Sequence, residues 1–221
     1  MSRKIINPEK LEGSLKQIRN LINQNPLVIN HLIANESGDD SFFDINWKSP
    51  IFVDNYAGYS DSDYLERVGI SDVKLPLAEF LPLTGLLWNG LGVADEKVIV
   101  LEAKSSVDEL RGKCYSCDIN APKLIGSSLK STQNYLQVDE SNDWMGEYYD
   151  YTAKIANLYY LRELNGVDAY LTCVYFVGDG SEGMPSKISE WKENIVKRNC
   201  KLGLPKEHKL SNYILDVFVR V

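Results

Sequence analysis

Two hydrophobic periods alternate along this chain. In the first, Leu11, Leu15, Ile18 and Ile22 recur every three or four residues, which predicts an amphipathic helix over residues 8–24. Asn7 supplies an N-cap for it and Pro8 fits its first position. Residues 26–29 close that helix or begin a short strand, and the acidic run 35–44 is expected as a surface loop. Ile51, Phe52, Val53 and Tyr56 are expected core contacts. Residues 60–68 are expected as a short helix that turns Tyr64, Leu65 and Val68 inward. Pro76 and Pro82 stop any long helix from running on from there.

The second period is that of strands. Residues 83–93 and 97–103 form two apolar runs joined by the polar turn Ala94-Asp95-Glu96-Lys97, a predicted hairpin. Ser106 and Glu109 are spaced as the ends of a capping box for a helix beginning at Val107. Helices are predicted over 124–137 and 146–165. The second carries Tyr148, Thr152, Ile155, Tyr159 and Arg162 near one face and stops at Asn165-Gly166. Residues 167–177 are rich in β-branched and aromatic side chains and read as a buried strand. A helix capped by Ser186 runs to about Cys200, and 213–221 alternate as a last strand. This order predicts an α/β protein with a mixed central sheet flanked by helices. Strands separated by helices pair in parallel in such a sheet, and the hairpin is antiparallel.

Composition narrows the class without naming it. At 221 residues, 44% hydrophobic and 25% charged, the chain fits a single globular domain in which residues 1–80 form a helical and irregular part. A net charge of −7 argues against bulk electrostatic coating of nucleic acid, while leaving room for an enzyme with a local basic surface. No apolar run reaches the roughly 18–20 residues of a membrane span. The first residues lack the apolar segment of a signal peptide, so a cytoplasmic location without a membrane partner is expected. Four cysteines without dense spacing fit reduced thiols there.

The chemistry concentrates at the end of the second hairpin strand, which closes on Glu102-Ala103-Lys104. Burying one charge costs several kcal/mol unless it is paired or metal-bound. Residues two apart on a strand share a face, so the carboxylate and the ammonium project together. Such a pair suits metal-assisted phosphodiester hydrolysis. The carboxylate would hold Mg²⁺ and the lysine would orient the water or stabilise charge on phosphate. A salt bridge closing a strand accounts for the same two residues.

Trp88-Asn89, the hairpin and Val100-Leu101-Glu102-Ala103-Lys104-Ser105 together resemble the core of the PD-(D/E)XK restriction-endonuclease-like superfamily. They are most similar to a group carrying a W-D … V-E-A-K pattern, and residues 155–161 and 169–179 extend the similarity. The resemblance implies a restriction-endonuclease-like sheet, with 81–221 as the nuclease-like core. It also implies Mg²⁺ or Mn²⁺ held by two acids, and action on phosphodiester bonds of nucleic acid. Carried over, Glu102 is the second acid and Lys104 the lysine beside the water. Asn89 falls where the first acid belongs, and its neutral carbonyl oxygen is a weaker metal ligand. Glu66, Glu79 and Asp95 are candidate substitutes. Two readings follow, a metal-dependent nuclease with weakened or lost activity, or a non-catalytic nuclease-fold binding or assembly module.

Other patterns are weaker. Cys114 and Cys117 form a C-x₂-C pair that could serve half a zinc site or a redox pair, with Cys173, Cys200, His31 and His208 remote in sequence. Lys187, Lys192, Lys197, Arg198, Lys201, Lys206 and Lys209 form a late basic cluster. It suits either phosphate contact or a solvated face balanced by Glu190, Glu193 and Glu207. Two histidines without a nucleophile elbow argue against a Ser/His/Asp hydrolase, and no phosphate-cradling glycine loop occurs.

Overall fold

A computed structural model describes residues 12–60, 62–81, 86–112, 121–178, 180 and 183–221. Asn7, Pro8, Leu11, Pro82, Cys114 and Cys117 lie outside them, so the first helix start and the C-x₂-C pair are not described. Five strands make one open mixed sheet. They are β1 (Asn46–Ser49), β2 (Gly90–Ala94), β3 (Lys97–Lys104), β4 (Ala169–Val177) and β5 (Ile214–Arg220), in that spatial order. The β1–β2 and β2–β3 pairs are antiparallel, and β3–β4 and β4–β5 are parallel. The expected α/β class and both pairing senses are therefore present. Asp95 takes the left-handed backbone that lets the β2–β3 turn close in so few residues, with φ at 51°.

The pleat sorts β3 cleanly. Ile99, Leu101 and Ala103 face one core, built with Ile18 and Ile22 of α1 (Gly13–Gln24) and Ile29 and Ile33 of α2 (Pro26–Ser37). Val98 and Val100 face the other core. That side is covered by α5 (Ala121–Leu136), α6 (Tyr149–Tyr159) and α7 (Ile188–Lys201). Glu102 and Lys104 share the parity of Val98 and Val100, so the sheet itself aims both charges beneath α6. Two short helices, α3 (Asp63–Arg67) and α4 (Leu77–Phe80), complete the fold, and Tyr64, Leu65 and Val68 are buried as expected.

Several local expectations are corrected. Residues 26–37 form α2, because Pro26 stands at the first turn of a new helix after the break at Asn25, and helix continues into the stretch expected as loop. Within that stretch the 3₁₀ turn Asp40–Phe43 buries Phe42 completely. Phe52 and Val53 are 71% and 86% exposed instead of in the core, since the 3₁₀ turn Phe52–Asp54 lifts them outward while Ala57 and Tyr59 fill the inner positions. Strand β1 was not foreseen; with Trp47 and Ser49 buried, it joins the N-terminal segment to the sheet. Residues 107–110 make only a 3₁₀ turn. Ser106 caps nothing with its side chain, and Glu109 instead accepts hydrogen bonds from Ser105 N–H at 3.3 Å and Ser105 Oγ at 2.6 Å. The N-cap of α7 is Lys187, not Ser186. After Tyr159, α6 passes into a π-helical turn, Tyr160–Leu164, and ends at Gly166 with φ at 72°. No helix among the described residues is long and apolar enough to cross a membrane.

Candidate active site

Four charged side chains meet where β3 passes under α6. Glu102 and Lys104 come from the strand; Asp150 and Lys154 come from the first turns of the helix, four residues apart and hence on one helical face. Lys104 Nζ lies 2.8 Å from Asp150 Oδ2 and 3.6 Å from Glu102 Oε1. Lys154 Nζ lies 2.9 Å from Asp150 Oδ2 and pairs closely with Glu102 Oε2. Each ammonium thus bridges both carboxylates, and the formal charges cancel.

Burial is graded across the cluster. The side chains of Glu102 and Lys154 are 1% and 3% exposed, Lys104 11% and Asp150 34%. The opening therefore lies on the Lys104–Asp150 side. Burial alone would raise the Asp150 carboxyl, but the Lys154 and Lys104 ammonium groups hold it well below the usual carboxylate range. Burial would likewise strip the proton from Lys154, and Asp150 and Glu102 instead hold it above its ordinary value. Asp150 and Lys154 stay charged because each is paired; removing any one member of the cluster would leave a buried charge uncompensated.

Asn89 adjoins the cluster through the backbone. Its Oδ1 accepts the Ala103 N–H at 2.8 Å, and its own N–H donates to Leu101 O at 3.0 Å. The side chain thus fastens the edge of β3 between Glu102 and Lys104. Of the three residues expected from the sequence, Glu102 and Lys104 meet in the cluster, while the side chain of Asn89 meets the Ala103 backbone between them. The candidate substitutes are not brought there: Glu66 lies on α3, Glu79 on α4 and Asp95 in the hairpin turn, all exposed.

The helix side of the site was missed in the sequence. Asp150 and Lys154 carry a readable signal, a D-x-x-x-K spacing set in an otherwise apolar helix. Every residue from Tyr151 to Tyr159 is buried, so α6 has no solvent face on which such a pair could be idle. Beyond it, Arg198 belongs to the interior and not to a basic surface. It is 1% exposed, its guanidinium stacks 3.4 Å from the centre of the Tyr151 ring, and it donates to Tyr175 Oη at 3.3 Å. Tyr175 in turn donates to Asp216 at 3.2 Å. The remaining late lysines scatter: Lys197 pairs with Glu193 at 2.7 Å, Lys201 pairs with Glu147, and Lys209 lies 4.4 Å from the Tyr135 ring centre. Ser105 and Ser106, next along from Lys104, line a polar groove of about 600 Å³ with Lys16, Gln17 and Glu109.

Whether Mg²⁺ suits this site turns on its donors. Among the described residues no three His, Cys, Asp or Glu side chains gather at one point, so a full protein cage is not offered. Mg²⁺ rarely uses one; it keeps waters and takes one or two carboxylates plus substrate phosphate. Two carboxylates that already share a positive charge, Lys154 Nζ, meet that sparser need. The donor set fits. No family model, no curated protein and no solved structure matches this chain, so its function rests on this geometry.

Proposed function

We propose that this chain is a metal-dependent nuclease-like protein of the PD-(D/E)XK kind, acting on phosphodiester bonds of nucleic acid at the cluster around Glu102 and Lys104. The observation that carries the reading is a buried carboxylate and a lysine from one strand end, held together with a second carboxylate and a second lysine from α6, the cluster opening on its Lys104–Asp150 side. Ligand sites of open α/β sheets fall at the carboxyl ends of parallel strands, which is where β3 delivers this pair beside β4.

In this reading Glu102 is the inner metal carboxylate. Bound there, Mg²⁺ or Mn²⁺ would lower the pKa of a water to make a nucleophile and draw charge from the phosphate. Lys104, the more exposed ammonium, would meet the phosphate and offset charge developing on its oxygens. Lys154, nearly buried against Glu102, fixes that carboxylate in one orientation. Asn89 holds the strand backbone through Ala103 N–H. Ser106 and Lys16 of the neighbouring groove, which also carries Glu12 and Glu109, would contact a sugar-phosphate strand.

A second reading keeps the fold and drops the chemistry, as a binding or assembly module. The saturated cluster, in which both ammoniums already occupy both carboxylates, favours it. Cleavage of single- and double-stranded DNA and RNA, with Mg²⁺ or Mn²⁺ against a chelator, separates the two. The nuclease reading expects metal-dependent cutting that Glu102→Gln reduces by a hundredfold or more. Cutting unchanged by that substitution, or no cutting with any substrate, leaves the module.

A further inference from the structure

We infer that Asp150, and not Asn89, supplies the second metal carboxylate of this site, and that the metal enters by exchanging with the two lysine ammoniums. The inference rests on the metal-dependent reading above and deepens it.

Three observations carry it. The first is what Asn89 does. Its Oδ1 already accepts a backbone hydrogen bond at 2.8 Å, and it brings no negative charge to a divalent ion. The second is where Asp150 sits. Its Oδ2 meets the same two ammonium groups that meet the two oxygens of Glu102, at 2.8 Å for Lys104 and 2.9 Å for Lys154. Two carboxylates that can share one small cation between them can share another. Strand β3 and helix α6 therefore converge on one position where positive charge is held between hard oxygen donors from separate elements. The third is the gradient of exposure. Glu102 lies at the closed end, at 1%, and Asp150 at the open end, at 34%, so an ion arriving from solvent meets Asp150 first.

The lysines make this an exchange. With both ammoniums in place the cluster is neutral, and a divalent ion added to it would face two positive charges at close range. Lys104 is the more exposed of the two and can swing toward solvent or toward a substrate phosphate. Lys154 is nearly buried and keeps one carboxylate oxygen in contact. The metal-free arrangement is thus self-compensated, and metal affinity is set by how readily Lys104 leaves. A phosphate that draws Lys104 away would strengthen metal binding, which links substrate and metal uptake at one site.

The experiment is Mn²⁺ titrated into the full chain, read by calorimetry and by the spin-resonance signal of the free ion, with each variant's melting curve measured alongside. The inference expects Asp150→Asn and Glu102→Gln each to weaken Mn²⁺ binding at least tenfold, and Lys104→Gln to tighten it. Asp150→Glu, which keeps a carboxylate on the helix beside both ammoniums, should retain binding; this arm keeps the test decisive if Asp150→Asn alone folds poorly. Mn²⁺ held equally well by the folded Asp150→Asn chain, or lost on Asn89→Ala while Asp150→Asn retains it, overturns the inference and leaves the nuclease reading standing if that chain still cuts. No uptake by the unaltered chain also overturns it. Uptake that depends on Glu102 and Asp150, in a chain that cuts neither DNA nor RNA, upholds the inference and removes the nuclease reading.

Discussion

At the scale of single residues, this protein places titratable groups where burial and neighbours decide their charge. His208 shows this apart from the cluster. Its Nδ1 accepts the Leu210 N–H at 3.2 Å, a bond that needs the neutral ring, and burial pushes the imidazole below the ordinary 6.5. Above that value both folded and unfolded chains carry a neutral ring, and the fold loses nothing. As pH falls below it, the unfolded chain takes up the proton first, so stability drops until the folded ring also titrates. Urea midpoints measured from about pH 7.5 to about pH 5 should fall more steeply for the unaltered chain than for His208→Gln. Equal slopes would show that the ring makes no such contribution.

At the scale of elements, the packing between β1 and β2 depends on a missing side chain. A Cβ built on Gly92 would lie 2.7 Å from Ile45 Cγ2 and 3.2 Å from Trp47 Cε3. Trp47 sits opposite Gly92 in the antiparallel register, so the indole lies across the bare backbone of β2. Gly92→Ala should therefore destabilise the fold by about 1–3 kcal/mol through overpacking, read as a lower urea midpoint. A midpoint unmoved would mean that β1 gives way at no cost. Helix α7 is fastened differently: Trp191 is fully buried and its Nε1–H donates to Phe176 O at 2.8 Å, tying the helix to β4. Such a bond both satisfies the indole and orients the face that carries Arg198.

At the scale of the whole molecule, β3 and β4 are the centre from which the rest is layered. Both are buried along nearly their whole lengths, with helices on each face, whereas β1 and β5 are the edges of the sheet. Amide exchange followed by mass spectrometry should find the slowest segments in 97–104 and 169–177, and faster exchange in 46–49 and 214–220. Uniform protection over all five strands would contradict this layering. The charged cluster is attached to the most protected strand, so its geometry should persist through local opening elsewhere.

Much of this was legible from the sequence because it depends on local period. The hairpin, the buried strand over 169–177, the closing strand and the α/β order all follow from alternation and from turn residues such as Asp95. The same logic placed Glu102 and Lys104 on one face of a buried strand, and that juxtaposition holds at 3.6 Å. Local period failed where burial is set by neighbours distant in sequence. Phe52 and Val53 are apolar yet exposed, and Phe42 is buried in an acidic stretch, because no periodic signal says which turn the core will meet. It failed most consequentially on α6. A helix buried all round has no single stripe, so reading one face drew attention to Thr152 and Ile155 and passed over Asp150 and Lys154. The sequence by itself determined the strand that carries the first two charges, since a two-residue repeat is a property of the strand alone. Only the tertiary structure decided that a helix some fifty residues later lays its own carboxylate and ammonium against them, because that contact depends on how α6 crosses the sheet, which no local pattern encodes.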